Sequence, residues 1–323
     1  MKKWFPALLL LSAFTLSLYV GATQIDNFWS ALINPGSNEI LWQIRFPRVT
    51  AAVIVGAALG VAGLLAQGAC NNAVAEPAIL GTAAGASFGA VIAIGSGLVE
   101  VGSIGAIVCG TIGALLTTSL TFKLAAIRGA LSSFALIIVG IAVSAIFTSL
   151  VGIASAIVSR ADARSISFWS LGSLALVTSE NLLGIAITTA IGIAIAWKIA
   201  PALDRLSLGD ATAFHLGVDV ARIRLVALIA LSILAGGAVS TVGSIAFIGL
   251  AAPHIARFIH GPSHRNLIAQ SAIIGALIVV VADTVSRTIA QPNELPIGLA
   301  TALLGAPVLI ALVATKNNVW RTQ

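Results

Sequence analysis

Residues 45–77 read RFPRVTAAVIVGAALGVAGLLAQGACNNAVAEP, and this stretch decides the fold class. Its apolar part, residues 49–70, carries no charged side chain, and a helix needs roughly 17 to 25 mostly apolar residues to cross a bilayer. Two arginines precede the apolar part and two asparagines follow it. The stretch therefore predicts a transmembrane helix bounded by polar loops.

The same pattern repeats along the whole chain. Of 323 residues, 59% are hydrophobic and 9% are charged, whereas about a quarter of the residues are charged in a typical soluble domain. We therefore predict an all-α membrane protein with one transmembrane domain, residues 1–323, and about ten helices. The predicted spans lie near residues 5–21, 49–70, 78–95, 103–122, 132–157, 181–200, 224–243, 245–259, 267–289 and 297–315.

Two of the predicted spans are unusual. Residues 5–21 follow two lysines and could also be a cleaved signal sequence, but an uncleaved span is favoured because it makes the helix count even. The run at 245–259 is short and contains Pro253, which predicts a kinked or partial helix held against its neighbours.

Glycines recur at helical spacing inside the predicted spans. They stand at Gly56, Gly60 and Gly63, and again at Gly81, Gly85 and Gly89. Small residues at such spacing let helix backbones approach closely in lipid. The pattern predicts a tightly packed bundle and does not by itself indicate transport.

The lysines and arginines predict the orientation of the chain. With both termini in the cytoplasm, twelve of them fall on the cytoplasmic side and five on the outer side, as the positive-inside rule requires. The cytoplasmic set is Lys2, Lys3, Lys123, Arg128, Lys198, Arg205, Arg222, Arg224, Arg257, Arg265, Lys316 and Arg321, and the outer set is Arg45, Arg48, Arg160, Arg164 and Arg287.

Several kinds of chemistry have no pattern in the sequence. The net charge of +6 is spread over single or paired basic residues, with no basic stripe for nucleic acid. No G-x4-G-K-[ST] phosphate loop precedes Lys123 or any other lysine, so we expect no ATP site in this chain. The four histidines form no H-E-x-x-H motif, and Cys70 and Cys109 lack metal-ligand spacing. We therefore expect no catalytic residue, no metal site and no cofactor here.

Ion-coupled transport remains an alternative interpretation. Proton-coupled transporters usually carry ionisable residues near mid-membrane. The deepest acid here, Asp283, lies near an outer helix end, and Arg287 follows four residues later, a spacing that favours a local ion pair. A secondary transporter would show gradient-dependent uptake, and a membrane enzyme would need a catalytic cluster that the sequence lacks.

Six motifs, in order along the chain, resemble those of the FecCD-type permease family. These permeases are the ten-helix membrane subunits of binding-protein-dependent ABC importers for ferric siderophores, haem and cobalamin. The motifs are residues 45–48 (RFPR) with Gln67 and 71–77 (NNAVAEP), 208–217 (LGDATAFHLG), 243–250 (GSIAFIGL) with Pro253, His254 and Arg257, 282–287 (ADTVSR), 294–298 (ELPIG) and 304–307 (LGAP). The chain departs from the usual Asn-Pro-Leu-Ala at residues 72–75 (NAVA), and losing that proline predicts a more adaptable turn.

The resemblance implies a cobalamin-importer-like bundle, the type II ABC importer architecture, and a transporter subunit rather than an enzyme. The implied function is alternating-access transport of a ferric siderophore from a binding protein into the cytoplasm, with haem or cobalamin as alternative cargo. The implied partners are a second permease subunit, identical or a paralogue, two ATPase subunits that bind ATP and Mg, and the substrate-binding protein. The implied location is the bacterial inner membrane.

The resemblance also assigns roles at the outer side. Arg45, Arg48 and Arg287 are expected to contact glutamates of the binding protein, with anchoring of helix ends at lipid headgroups as the alternative. Residues 167–172 are expected to form a short interfacial helix. There Trp169 and Gly172 would border an outer gate or serve as a membrane anchor.

On the cytoplasmic side, residues 207–221 are too polar to span. By resemblance they form a coupling helix docked on the ATPase, with an ordinary connector as the alternative. The expected gate at the cytoplasmic end of the pathway comprises Asn72 and Val74, together with Ser133 and Phe134. The expected coupling residues are Gly209, Asp210, Ala211, Ala213 and Gly217.

Overall fold

The computed structural model describes residues 5–21, 23–127, 132–157, 166, 168–289 and 294–316, and these residues are helical with no β-strand. A π-helical turn, Ile40–Arg45, leads directly into α3. The helices are α1 (Phe5–Tyr19), α2 (Phe28–Ile33), α3 (Phe46–Ala69), α4 (Thr82–Gly95), α5 (Ile104–Ala125), α6 (Ser133–Ile157), α7 (Ser179–Leu206), α8 (Asp210–His215), α9 (Val220–Val242), α10 (Ile248–His260), α11 (His264–Ile289) and α12 (Ile297–Lys316).

Each of the ten predicted spans corresponds to one of these helices, and α2 and α8 are additional short ones. Six helices are long and apolar enough to cross a membrane: α3 with its π-helical turn, α5, α6, α7, α9 and α11. The apolar helices α1 and α4 and the apolar part of α12 are shorter. The predicted all-α membrane fold is confirmed. Lys2, Lys3, Arg128, Arg160, Arg164 and Arg321 lie outside the described residues.

Helix α3 lies at the centre of the bundle. It packs against α7, α9, α10 and α11, and most of its side chains are buried. Helices α4, α5 and α6 pack on one another to form a second group, and α9 contacts both groups. Movement of one group relative to the other therefore has to involve α9.

The predicted glycine contacts are present. A Cβ added at Gly56 would come within 2.6 Å of the Cα of Ala276 in α11, and one at Gly63 would overlap the Gly249 carbonyl of α10. The second set packs α4 against α5, where a Cβ at Gly85 would lie 2.7 Å from the Gly113 oxygen. These glycines let the backbones touch, as the spacing predicts.

Helix α10 is a partial helix, as its length and proline predict. Residues 243–246 are not helical, and Phe247 adopts a left-handed conformation with φ 67° just before the helix begins. The first turn then lies against Gly63, well inside α3, rather than at the end of the bundle. Non-helical backbone is tolerated at membrane depth where protein or a cavity surrounds it.

Helix α6 is the least buried of the six long apolar helices. Its exposed large apolar side chains form two groups that face different directions, because the second group is turned by about 100° around the helix axis. The first group comprises Phe134, Ile138 and Ile141, and the second comprises Ile146, Ile153 and Ile157.

Candidate transport machinery

A buried arginine near the start of α9 joins four elements at one end of the bundle. Arg224 is 1% exposed. Its Nε donates to the Ala69 carbonyl at 2.9 Å, and its Nη2 donates to Ser133 Oγ at 3.0 Å and to Asp210 Oδ1 at 2.9 Å. These partners lie at the end of α3, the start of α6 and the start of α8. We name Arg224, Asp210, Ser133 and Ala69 the α8 junction.

Two of the groups that Arg224 contacts in the α8 junction, the Ala69 carbonyl and the Asp210 carboxylate, lie at helix ends. The Ala69 carbonyl belongs to the last turn of α3, where carbonyl groups lack an intrahelical partner, and a cation there also complements the helix dipole. Asp210 lies in the first turn of α8, and its side chain is 47% exposed. A half-exposed acid is thus held by a fully buried arginine, and one guanidinium hydrogen-bonds α8, α3 and α6 together.

Helix α8 and the residues that flank it expose apolar side chains in a segment too polar to span. Leu208, Phe214 and Leu216 are 62%, 71% and 50% exposed, whereas Ala213 is buried. Contiguous exposed apolar groups of this kind mark interaction surfaces. The flanking Gly209 and Gly217 have φ of 97° and 78°, which explains glycine there, and Ala211 lies exposed between them.

The predicted cytoplasmic gate residues lie beside this junction. Asn72 and Val74 occupy the loop after α3, where Asn72 Oδ1 accepts the Val74 N–H at 3.0 Å. This hydrogen bond closes a local turn around Ala73, the position where the family's usual motif has proline. Ser133 and Phe134 begin α6, and Val74 and Phe134 are 46% and 73% exposed.

The rest of the loop between α3 and α4 is held by three helices. Ser144 Oγ of α6 donates to the Ala78 carbonyl at 2.7 Å, and Thr121 Oγ1 of α5 donates to the Leu80 carbonyl at 3.2 Å. The Phe247 backbone N–H, at the start of α10, donates to the Glu76 carboxylate. Burial raises the pKa of Glu76, and the Phe247 hydrogen bond opposes that rise. The loop between α3 and α4 therefore contacts α5, α6 and α10 at once.

A second charged cluster lies at the opposite end of the bundle. Arg48 Nη2 lies 2.9 Å from Asp283 Oδ1, and its Nη1 lies 2.8 Å from Glu294 Oε1. Arg287 Nε is 3.7 Å from Asp283 Oδ2, which confirms the predicted local pair, and Arg287 also donates to Ser17 Oγ at 2.7 Å. We name Arg45, Arg48, Arg287, Asp283 and Glu294 the outer cluster.

The structure places the three predicted docking arginines inside the protein rather than free on its rim. Arg45, Arg48 and Arg287 are 4%, 9% and 8% exposed. Arg45 Nη1 donates to the Leu18 and Tyr19 carbonyls at 2.8 and 2.7 Å, at the end of α1. The arginines are drawn inward because unpaired helix-end carbonyls and a buried carboxylate need donors.

The other predicted outer residues are Trp169 and Gly172. Trp169 is 1% exposed and packs with Ala90 and Val91, so the anchor interpretation is wrong for this side chain. Gly172 accepts the Ile297 N–H at 2.9 Å and has φ 87°. It thus contacts the start of α12. Ser167, in the same predicted helix, lies outside the described residues.

Within the described part of the chain, no three His, Cys, Asp or Glu side chains gather as metal ligands. The candidate site therefore consists of the loop between α3 and α4, the short helix α8 and two charged clusters at opposite ends of the bundle. Residues 8–315 match the family model of the FecCD transport family. The chain belongs to the FecCD transport family. It is an ABC importer permease and not an enzyme, and ATP hydrolysis belongs to a separate chain.

Known members of the FecCD family are similar over nearly the full length. The iron(3+)-hydroxamate import system permease protein FhuB of Bacillus subtilis is 38% identical, over 96% of this chain and 82% of its own. The hemin transport system permease protein HmuU of Yersinia pestis is 36% identical, over 94% and 92%. A solved metal-chelate type ABC transporter in an inward-facing conformation has a TM-score of 0.82 and 29% identity, over 97% of this chain and 98% of that one.

Sequence reasoning missed the central residue of this FecCD permease. Arg224 was counted only as a topology charge, yet Arg222 and Arg224 stand two apart on a helix. Such residues point to different faces, so one of them had to turn inward. Arg222 is exposed and Arg224 is buried. An arginine pair at this spacing at the start of an apolar helix is a signal that could have found the α8 junction.

Proposed function

We propose that this permease moves a ferric siderophore from a substrate-binding protein into the cytoplasm by alternating access, driven by two separate ATPase subunits that carry the ATP and Mg. The observation that carries the mechanism is the α8 junction. Helix α8 and the residues that flank it expose apolar side chains for a partner, and Asp210 connects the helix through Arg224 to α3 and α6. The alternative, an ordinary connector, gives no reason for that exposed apolar surface.

A second permease subunit completes the pathway. The exposed apolar side chains of α6 support this proposal, because the first group of them begins at Phe134, one of the proposed gate residues. Val74 is also half exposed in the single chain. Two copies or two paralogues facing each other across these residues would enclose one pathway whose cytoplasmic end narrows at Asn72, Val74, Ser133 and Phe134.

The location is proposed to be the bacterial inner membrane, with both termini in the cytoplasm. The charge bias supports this orientation, and so does the separation of the α8 junction from the outer cluster. Glu100 and Ser207 are both exposed and lie at opposite ends by this topology. A Glu100→Cys chain should react with an impermeant maleimide in intact cells and a Ser207→Cys chain only after lysis; the reverse order would contradict the orientation.

A ferric hydroxamate is the cargo that the relatives support best, since FhuB is named for iron(3+)-hydroxamate. Haem and cobalamin remain alternative cargos. In cells that lack other importers, we expect this permease to support uptake of labelled ferric hydroxamate. Excess unlabelled hemin or cobalamin should not reduce the uptake rate. Uptake of hemin or cobalamin in its place would overturn the siderophore assignment but leave the importer mechanism intact.

The outer cluster is proposed to receive acidic residues of the binding protein. Three arginines and two acids leave one positive charge in excess, which supports attraction of carboxylates. Because the arginines already have partners, an arriving carboxylate has to compete with Asp283 and Glu294. Glu294 is the weaker competitor, since its side chain is 37% exposed.

Competition of this kind predicts opposite effects for two neutral substitutions. Glu294→Gln should tighten docking of the binding protein about fivefold, because it frees Arg48, and Arg48→Gln should weaken it about fivefold. Docking is measured by pull-down across a salt series, and Glu39→Gln, an exposed acid outside the cluster, is the control. Thermal unfolding verifies that each variant is folded. Weaker docking by Glu294→Gln would mean that the cluster is purely structural.

A further inference from the structure

A cavity of about 860 Å³ opens at the same end of the bundle as the α8 junction. It lies between the last turns of α7, the end of α10 and the start of α11. Neither the loop between α3 and α4 nor α8 contributes to its lining. The side chains that matter for its chemistry are Trp197, His260, Arg265, Asn266 and Gln270.

The polar groups around this cavity lack partners. Both ring nitrogens of His260 and Oε1 of Gln270 are buried, and none has a hydrogen-bond partner among the residues described. Unsatisfied buried polar atoms are costly, about 1–3 kcal/mol each, and call for a ligand or water. The wall of the cavity therefore has unmet hydrogen-bonding capacity, which rotation of these two side chains would present to a polar ligand.

The charge around the cavity favours an anion. Arg265 is exposed and has no carboxylate within ion-pair distance in the described ranges. The nearest acid along these elements, Asp204, is occupied by the backbone N–H and ring of His264. Arg265 and Asn266 also lie in the first turn of α11, whose helix dipole favours an anion. The backbone N–H groups of His264, Asn266 and Leu267 already donate to Asp204 and to the Ser263 carbonyl, so side chains have to supply most of the donors.

The surroundings of the cavity favour a lipid over a soluble anion. Trp197 is 51% exposed, and its indole N–H donates to the Arg265 carbonyl at 3.4 Å. Tryptophan with an apolar body and a tethered polar edge is typical of the membrane interface. The face of α7 that leads to the Trp197 indole is apolar and exposed, and it comprises Leu183, Ile187 and Ile191. An acyl chain can lie along that face while the headgroup enters the cavity.

We propose that this cavity binds the phosphoryl headgroup of an anionic phospholipid from the leaflet on the α8 side. Arg265 pairs with the phosphate, the exposed side-chain amide of Asn266 donates an N–H, and His260 and Gln270 take the remaining polar groups of the headgroup. Basic pockets between transmembrane helices bind anionic headgroups by the same chemistry. The lipid would hold α7, α10 and α11 together below the partial helix.

The test is lipid binding to the purified full chain in detergent, counted by native mass spectrometry. Phosphatidylglycerol, phosphatidylcholine and inorganic phosphate are compared. We expect phosphatidylglycerol to bind at least about fivefold tighter than phosphatidylcholine and Arg265→Gln to remove that preference. Arg222→Gln removes an exposed arginine outside the cavity and should leave binding unchanged.

A second variant separates the two sources of phosphate. Trp197→Ala should weaken phosphatidylglycerol binding and leave the affinity for inorganic phosphate unaltered. Equal binding of the two lipids, or wild-type binding by Arg265→Gln, would overturn the proposal. Complete displacement of phosphatidylglycerol by millimolar phosphate would assign a free-anion site and overturn the lipid assignment.

Discussion

Arg224→Gln is expected to reduce ATP-driven uptake by at least about tenfold while the chain remains in the membrane. Glutamine cannot reach Ala69, Ser133 and Asp210 together, so α8 loses its connection to α3 and α6. Charge-assisted hydrogen bonds contribute about 1.5–3 kcal/mol each, and a tenfold change in an equilibrium needs about 1.4 kcal/mol. The measurement is the initial uptake rate normalised to permease abundance, together with ATP turnover of the complex.

The Arg224 experiment has matched controls. Arg222→Gln changes an exposed arginine on the same helix and should import at the wild-type rate. Asp210→Asn alters only the half-exposed partner, so the chain should fold and show a smaller loss in the same direction. Arg224→Lys keeps the positive charge but lacks the planar guanidinium that donates to three partners, so it should not restore uptake. Wild-type uptake by Arg224→Gln would contradict the coupling role.

The second large effect is on stability. Gly63→Ala is expected to destabilise the bundle by about 3 kcal/mol, because the new Cβ would overlap the Gly249 backbone. A flexible side chain could move aside, but a carbonyl group in α10 cannot, so α3 and α10 would have to separate. The apparent Tm of the detergent-solubilised chain should fall by about 6–12 °C.

Gly152→Ala is the matched control for this prediction. Gly152 lies in α6, and no heavy atom lies within 4 Å of an added Cβ. Alanine there should leave the Tm unchanged or raise it slightly, since glycine in a helix interior costs roughly 0.5–1 kcal/mol relative to alanine. A Tm for Gly63→Ala equal to that of Gly152→Ala would show that α3 and α10 do not touch at this point.

The sequence predicted the spans well because crossing a bilayer imposes length and polarity on every helix. Residues 49–70 showed this directly, and α3 occupies 46–69. The glycine spacing also predicted which faces touch, since small residues are what close backbone contact requires. The short run at 245–259 predicted a partial helix, but Pro253 lies inside α10 and does not end it; the helix is short because residues 243–246 are not helical.

Polar contacts between residues far apart in the chain could not be predicted from the spacing of residues in the sequence. Arg48 pairs with Glu294, and Arg224 with Ser133, across long stretches of chain. Charge counting treated both arginines as topology signals, and burial of a charge depends on partners that only the folded bundle brings together. Trp169 shows the same limit: an aromatic residue near a span end suggested the interface, yet neighbouring helices cover it.

The most direct test of the central claim is uptake into proteoliposomes that contain this permease with its ATPase subunits and binding protein. The proposed importer mechanism predicts that ferric hydroxamate enters the proteoliposomes only when ATP is hydrolysed. A protonophore should have no effect on the uptake rate. An ATPase variant that binds but cannot hydrolyse ATP should stop uptake. Sustained uptake with that variant, abolished by the protonophore, would contradict the account and favour an ion-coupled carrier.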